Sequence, residues 1–194
     1  MAIRKIAQLG EPVLRRRAEP LAREQLGSPL VNALIEDMIE TMHDADGAGL
    51  AAPQIYEPIR ICIIEVQHNP RYPDFPSIPL TILVNPVLTS LVGSGADLAD
   101  DDAITLYEGC LSVTGLRGRV RRPRKVRVAA FDRNGAPLDF VWEGIQAAIV
   151  QHEADHLDGA LFVDRADPRT LTFLREYDRH VPAAERVSDG RRRT

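Results

Sequence analysis

The segment Gln151-His152-Glu153-Ala154-Asp155-His156-Leu157 carries the densest chemistry in the chain. Two histidines four apart on a helix lie one above the other on the same face. That spacing lets both imidazoles reach one metal ion, with the adjoining glutamate as a general base. Imidazole suits zinc, iron and nickel alike, so the spacing leaves the metal open. The competing reading is a solvated helix face with two surface histidines. Asp155 could hydrogen-bond a ring nitrogen from behind, although its i to i+3 relation to His152 fits a surface role equally well. His43, His68 and His180 lack partners at ligand spacing and read as ordinary polar residues.

Two further segments hold residue types that complete such a site. Gly47-Ala48-Gly49-Leu50-Ala51-Ala52-Pro53-Gln54 has glycines that let a backbone come close to a ligand, and Gln54 offers an amide donor. A loop ending the preceding helix explains it about as well. Glu108-Gly109-Cys110-Leu111-Ser112 carries one of the two cysteines. Beside a histidine pair, Cys110 is a candidate third ligand, because a thiolate binds soft or borderline cations strongly. A nucleophilic Cys–His pair is the alternative, but it leaves the second histidine without a task.

These segments need elements to carry them. Ser28-Pro29 places a cap and a first-turn proline before Val31, Leu34, Ile35, Met38, Ile39 and Met42, which predicts an amphipathic helix over about 29–44. Before it, Glu11-Pro12 reads as a short helix or turn. Residues 59–66 and 80–88 are apolar and β-branched and read as strands, with Pro86 marking an edge or a bulge. The proline-rich stretch between them and the small, acidic residues 93–103 read as loops. Strands over 125–132 and 137–142 flank Arg133-Asn134-Gly135, a hairpin turn. Helix returns over about 143–158, with Ile145, Ala148, Ile149, His152 and His156 on one face and Gly159 at its end. Asp167-Pro168 opens a last helix to about 180. The arrangement is α+β: mostly antiparallel sheet around a central metal-binding helix, with a helix at each end. Residues 1–180 form a single catalytic domain, and 181–194 a polar, frayed tail.

Composition sets the outer bounds. The chain has 194 residues, 44% hydrophobic and 27% charged, enough for one domain with its own core. A net charge of -4 gives no argument for DNA as a specific partner. Two cysteines make no disulfide framework, and Cys62 sits in an apolar strand. With no long apolar stretch and no secretory leader, the expected location is the cytoplasm and no membrane partner is expected. Arg117, Arg119, Arg121, Arg122, Arg124, Lys125 and Arg127 form a basic run, and Arg191-Arg192-Arg193 another. A solvated strand face explains the first; docking on ribosomal RNA near the exit tunnel, or holding the peptide backbone of a substrate, is the alternative.

GAGLAAPQ, EGCLS and QHEADHL, in this order, resemble the three signature motifs of the peptide deformylase family, over roughly residues 1–165. The resemblance implies an α+β fold and removal of the formyl group from N-formylmethionine of nascent peptides. It implies Cys110, His152 and His156 as ligands of one divalent metal: Fe(2+) first, with Zn(2+), Ni(2+) or Co(2+) as substitutes. It makes Glu153 the acid/base, sets Gln54 and the Leu111 backbone N–H at the oxyanion, and counts Gly49 among the catalytic positions. Substrate-binding positions are Ala48, Leu106 and Arg117, joined by Ile145, Ala148 and Ile149 from the helix face. The chain departs from the pattern at Thr114, where many members have proline, at Ala48, where a bulkier residue is common, and in a longer stretch between Gln54 and Cys110. The rival is a zinc endopeptidase, which uses the same histidine pair with a third ligand downstream; Glu176 is the glutamate available for that role.

Overall fold

A computed structural model describes residues 2–67, 77–182 and 186–188. Two antiparallel sheets enclose one helix. The first sheet has five strands in the order β1-β2-β3-β6-β7: β1 (Gly49–Ala51), β2 (Ile61–Val66), β3 (Ile78–Ser90), β6 (Lys125–Phe131) and β7 (Pro137–Glu143). The second has four in the order β8-β5-β4-β9: β4 (Ala103–Cys110), β5 (Val113–Pro123), β8 (Thr172–Phe173) and β9 (Val187–Ser188).

β2 shows why its sequence is apolar from Ile61 to Ile64, ahead of Glu65. Ile61 and Ile63 face one side and pack with Val31, Ile35, Met38 and Met42 of helix α1 (Pro29–Asp44). Cys62, Ile64 and Val66 face the other and pack with Ala147, Val150 and Leu157 of helix α2 (Ile145–Leu157). With both faces covered over Ile61–Ile64, an alternating polar residue has no place there, and Glu65 stands where the cover thins. The Ser28 cap is present, its hydroxyl accepting from the Val31 N–H at 3.4 Å. Pro86 lies in an interior strand, so its position is the bulge and not the edge: the β3–β6 register shifts between Val84 and Val87, and Asn85 takes a positive φ of 52°. The hairpin at Asn134-Gly135 closes on Asp132, whose Oδ1 accepts from the Asn134 and Ala136 N–H groups at 2.8 Å each.

α2 is therefore sandwiched. One side joins the main core. The other meets the second sheet through Ile104, Leu106, Ala148 and Ile145. The N-terminal segment laces the motif loops together: the Ala7 N–H donates to the Gln54 carbonyl and the Leu9 N–H to the Ser112 carbonyl, both at 2.7 Å.

Three sequence expectations are corrected. The last helix does not run unbroken from residue 168. A 3-10 turn at Pro168–Thr170, capped by Asp167, gives way to β8 before helix α4 (Leu174–His180), because Thr172 and Phe173 pair with Arg117 and Leu116. The tail is not wholly free, since Val187 and Ser188 pair with Leu106 and Thr105. The basic run is not one solvated face: Arg122 and Arg124 are buried, in phase with buried Val120 and opposite Arg121. Most of the proline-rich loop, with His68, lies outside the described residues, as does Arg191–Arg193. No helix among the described residues is long and apolar enough to cross a membrane.

Candidate metal centre

α2 carries His152 and His156 on consecutive turns, with ring centroids 5.2 Å apart. β4 ends at Cys110, opposite them. The potential ligand atoms of Cys110, His152 and His156 all lie within 4.8 Å of one another, and Cys110 Sγ is 3.2 Å from His156 Nε2. One soft donor and two borderline donors converging in this way fit a divalent transition metal. Two further observations support the fit. The His152 Nδ1–H is directed at Glu108 Oε2, 2.8 Å away, which leaves Nε2 as the free lone pair. The Ser112 N–H points at Cys110 Sγ from 3.3 Å, fixing the position of the sulfur.

The charges around the rings are set from behind. Arg122 grips Glu108 with two parallel hydrogen bonds, Nε to Oε1 at 2.6 Å and Nη2 to Oε2 at 2.9 Å. Burial alone would raise the Glu108 carboxyl, but Arg122 and His152 outweigh it and hold it at about 2. Burial pulls His156 well below the ordinary imidazole value and keeps it neutral, as a ligand must be. Burial pulls on His152 too, but Cys110 and Glu108 outweigh it and raise that ring in the metal-free protein.

Glu153 is 4% exposed, and among the described residues its Oε2 has no hydrogen-bond partner. Burial raises its carboxyl to about 7, with His152 opposing. Such a group exchanges its proton near neutral pH. It lies against Gly49. A Cβ built on Gly49 would fall 2.7 Å from Glu153 Cδ and closer still to Oε1, so this glycine is required by close approach. Gly49→Ala should therefore displace the carboxylate and lower kcat about 10²-fold, the cost of roughly an ångström of misplacement. Steady-state kinetics beside metal analysis checks this, with metal content unchanged from the wild type.

Gln54 is buried and oriented. Its Oε1 accepts from the Ala51 N–H at 2.8 Å, which turns Nε2 toward Ser112 Oγ at 3.1 Å and Cys110 Sγ at 3.6 Å. Leu111 stands in the tight connection between β4 and β5, and its side chain reaches the Gly47 backbone. The three motif segments thus meet in one place. Leu106, Ala148 and Ile145 share a small apolar cluster with Ile104, whereas Ile149 packs on the main core. Ala48 is exposed. Arg117 lies over Gly109, where a Cβ would overlap its guanidinium. Glu176 sits on α4, half-exposed and paired with Arg179 and His180, away from the ligand cluster, which removes it as third ligand.

Sequence reading gave Glu108 no role of its own and placed Arg122 only in the basic run, and Asp155 has neither of its expected roles. Asp155 is buried and accepts from Arg122 Nη1 at 2.9 Å and from Arg165 Nε and Nη2 at 2.7 and 2.6 Å. Glu108 was in plain view inside EGCLS. For Arg122, the available signal was its phase with Val120 in the strand alternation.

The geometry has close counterparts. The family model described as polypeptide deformylase matches residues 3–171. "Peptide deformylase 1" of Nitrosomonas europaea is 41% identical over 175 residues, covering 90% of this chain and 91% of that one. "Peptide deformylase 2" of Bordetella bronchiseptica is 45% identical over 163 residues, covering 84% and 87%. Among solved structures, the Met-Ala-Ser-bound class I type b peptide deformylase of Acinetobacter baumannii superposes with a TM-score of 0.78. It is 36% identical and covers 84% of this chain and 98% of that one.

Proposed function

The chain belongs to the polypeptide deformylase family, and from that premise we propose how its own residues divide the work of deformylation. The enzyme hydrolyses the formyl amide at the N-terminus of formylmethionyl peptides, leaving formate and a free amine. The single observation that carries this reading is the Cys110–His152–His156 cluster, with Gln54 Nε2 directed at Cys110 Sγ and Glu153, next to His152 in the chain, buried against Gly49.

Cys110, His152 and His156 would hold a divalent ion, which when bound would supply Lewis-acid chemistry and lower the pKa of water. Fe(2+) is the proposed native ion, with Zn(2+), Ni(2+) or Co(2+) able to replace it. Glu153 takes the proton from water as its oxygen attacks the formyl carbon. As the carbon–nitrogen bond breaks, Glu153 delivers that proton to the leaving amine. Gln54 Nε2 and the Leu111 N–H donate to the oxygen on which charge builds. Gly49 keeps the backbone clear of the Glu153 carboxylate.

Among the described residues β1 pairs with β2 alone, which leaves its other edge for the extended backbone of a peptide, with Glu153 packed against Gly49 of the same strand. The methionine side chain enters beside Leu106, Ala148 and Ile145, with Ile149 behind on the same helix. Exposed Ala48 borders the entrance, and Arg117 faces the following residues. The Met-Ala-Ser ligand of the Acinetobacter relative is consistent with a peptide beginning in methionine.

Mass spectrometry of a formyl-Met peptide after incubation tests the reading. Loss of the formyl group with the peptide chain intact is expected; internal cleavage would favour an endopeptidase.

Docking at the ribosome surface is the further partner we propose. Arg119 and Arg121 face outward on β5, and the arginine-rich end of the chain would reinforce them. Salt-dependent co-sedimentation with ribosomes, lost on deleting residues 185–194, is the expected result. Co-sedimentation unaffected by the deletion would exclude the tail.

A further inference from the structure

Behind the metal ligands runs a chain of charged groups that continues to the protein surface. His152 donates to Glu108, Glu108 is forked by Arg122, Arg122 reaches Asp155, and Asp155 is forked in turn by Arg165. The first four are side chains of α2, β4 and β5 in the interior. Arg165 differs. It closes the four-residue helix Phe162–Arg165 (α3), its side chain is 50% exposed, and it lines a surface cavity of about 460 Å³ with Arg119, Arg121 and Thr170.

Charge explains what Arg165 does for the rest. Without it, one guanidinium, Arg122, must serve two buried carboxylates. Arg122 then has reason to shift toward Asp155, and its two-pronged hold on Glu108 loosens. Glu108 Oε2 is shared between Arg122 Nη2 at 2.9 Å and His152 Nδ1 at 2.8 Å, so any such shift is felt at the ring. With Arg165 in place Asp155 has its own fork, and Arg122 commits only Nη1 to Asp155 while Nε and Nη2 both stay on Glu108. The fork geometry matters as much as the charge, since a lysine delivers one point charge where arginine delivers two parallel bonds.

We propose that Arg165, acting through Asp155, Arg122 and Glu108, is a positioning residue that fixes the His152 ring and thereby sets how tightly the site retains its metal. This rests on the metal-site reading above and adds to it a determinant lying outside the three motifs. Arg165 touches neither substrate nor metal. Its effect is expected in metal retention first and in turnover only as metal is lost.

The test is release of Zn(2+) from zinc-loaded protein into excess chelator, followed for wild type, Arg165→Gln, Arg165→Lys, Asp155→Asn and the Asp155→Asn/Arg165→Gln double variant. Loss of a direct hydrogen-bond partner of a metal ligand weakens binding about 10–100-fold, and three intervening groups should reduce that, so Arg165→Gln should release zinc about 3–10-fold faster. Arg165→Lys should fall between the two. In the Asp155→Asn background, adding Arg165→Gln should change nothing further. Turnover of fully loaded protein and KM should stay at wild-type values in Arg165→Gln. A wild-type release rate in Arg165→Gln overturns the proposal, even if its melting temperature falls, because that is what a purely structural ion pair would do. An undiminished effect in the Asp155→Asn background overturns the route through Asp155. Wild-type protein that takes up no zinc would instead overturn the metal-site reading itself.

Discussion

Glu153→Gln is expected to lower kcat by about 10²–10⁴-fold, the usual contribution of a positioned general acid/base, while leaving metal content at the wild-type level. Gln keeps the shape of the side chain against Gly49 but cannot accept the water proton. Glu153 lies outside the Cys110–His152–His156 cluster, so the ligand set is untouched. The substitution also removes a buried carboxylate whose Oε2 has no hydrogen-bond partner among the described residues, so stability should hold or rise. Parallel measurement of kcat, metal content and melting temperature separates the possibilities. Loss of metal together with activity would move Glu153 into the ligand set, and an unchanged kcat would remove it from the chemistry.

Arg122→Met should have the largest effect on stability. The guanidinium is 3% exposed and makes hydrogen bonds to both Glu108 and Asp155. Methionine fills much of the space but leaves a buried carboxylate at Glu108 without its counter-charge. Breaking a buried pair from one side costs about 3–5 kcal/mol, which for a domain of this size lowers the melting temperature by roughly 6–20 °C. The pH dependence has a definite sign. The folded Glu108 carboxyl is depressed from 4.5 to about 2, so its contribution is fully present above the unfolded value and is lost as pH falls through about 2. The gap between wild type and variant should therefore be widest near neutral pH and narrow as the solution is acidified. Thermal melts of both metal-free proteins across that range check it; a gap independent of pH would mean that Arg122 acts by packing.

How much of this was legible beforehand depends on whether the information was local. The ligands lie in short segments where spacing alone carries geometry: a four-residue step on α2 sets two imidazoles on one face whatever surrounds the helix. The boundaries of α1 were likewise local, written in Ser28-Pro29 and the apolar period that follows. The β4–β5 hairpin was harder to see, because EGCLS read as a motif and not as the end of one strand and the turn to the next. Arg122 and Arg121 are adjacent and chemically alike, yet one is buried and one exposed. Only the partner waiting on each face decides that, and Glu108 and Asp155 reach Arg122 from other elements. Asp155 faces inward for the same reason, because Arg165 closes over it from α3. Ile149 shows the limit of a helical wheel: it shares a nominal face with Ala148 but sits where the helix turns from the second sheet to the first, and so packs on the main core. The stop before α4 depended on β5 offering an edge to Thr172 and Phe173, which no local pattern records.

The central claim is that one metal ion, held by Cys110, His152 and His156, makes this chain a deformylase. Metal-free protein prepared without oxygen should be titrated with Fe(2+) while formate release from a formyl-Met peptide is followed. Activity should rise linearly from near zero and level off at about one metal per chain, the stoichiometry of a single three-ligand site. Cys110→Ala should neither retain the ion nor release formate. Formate release at full rate without metal, or none with the site filled, would contradict the account.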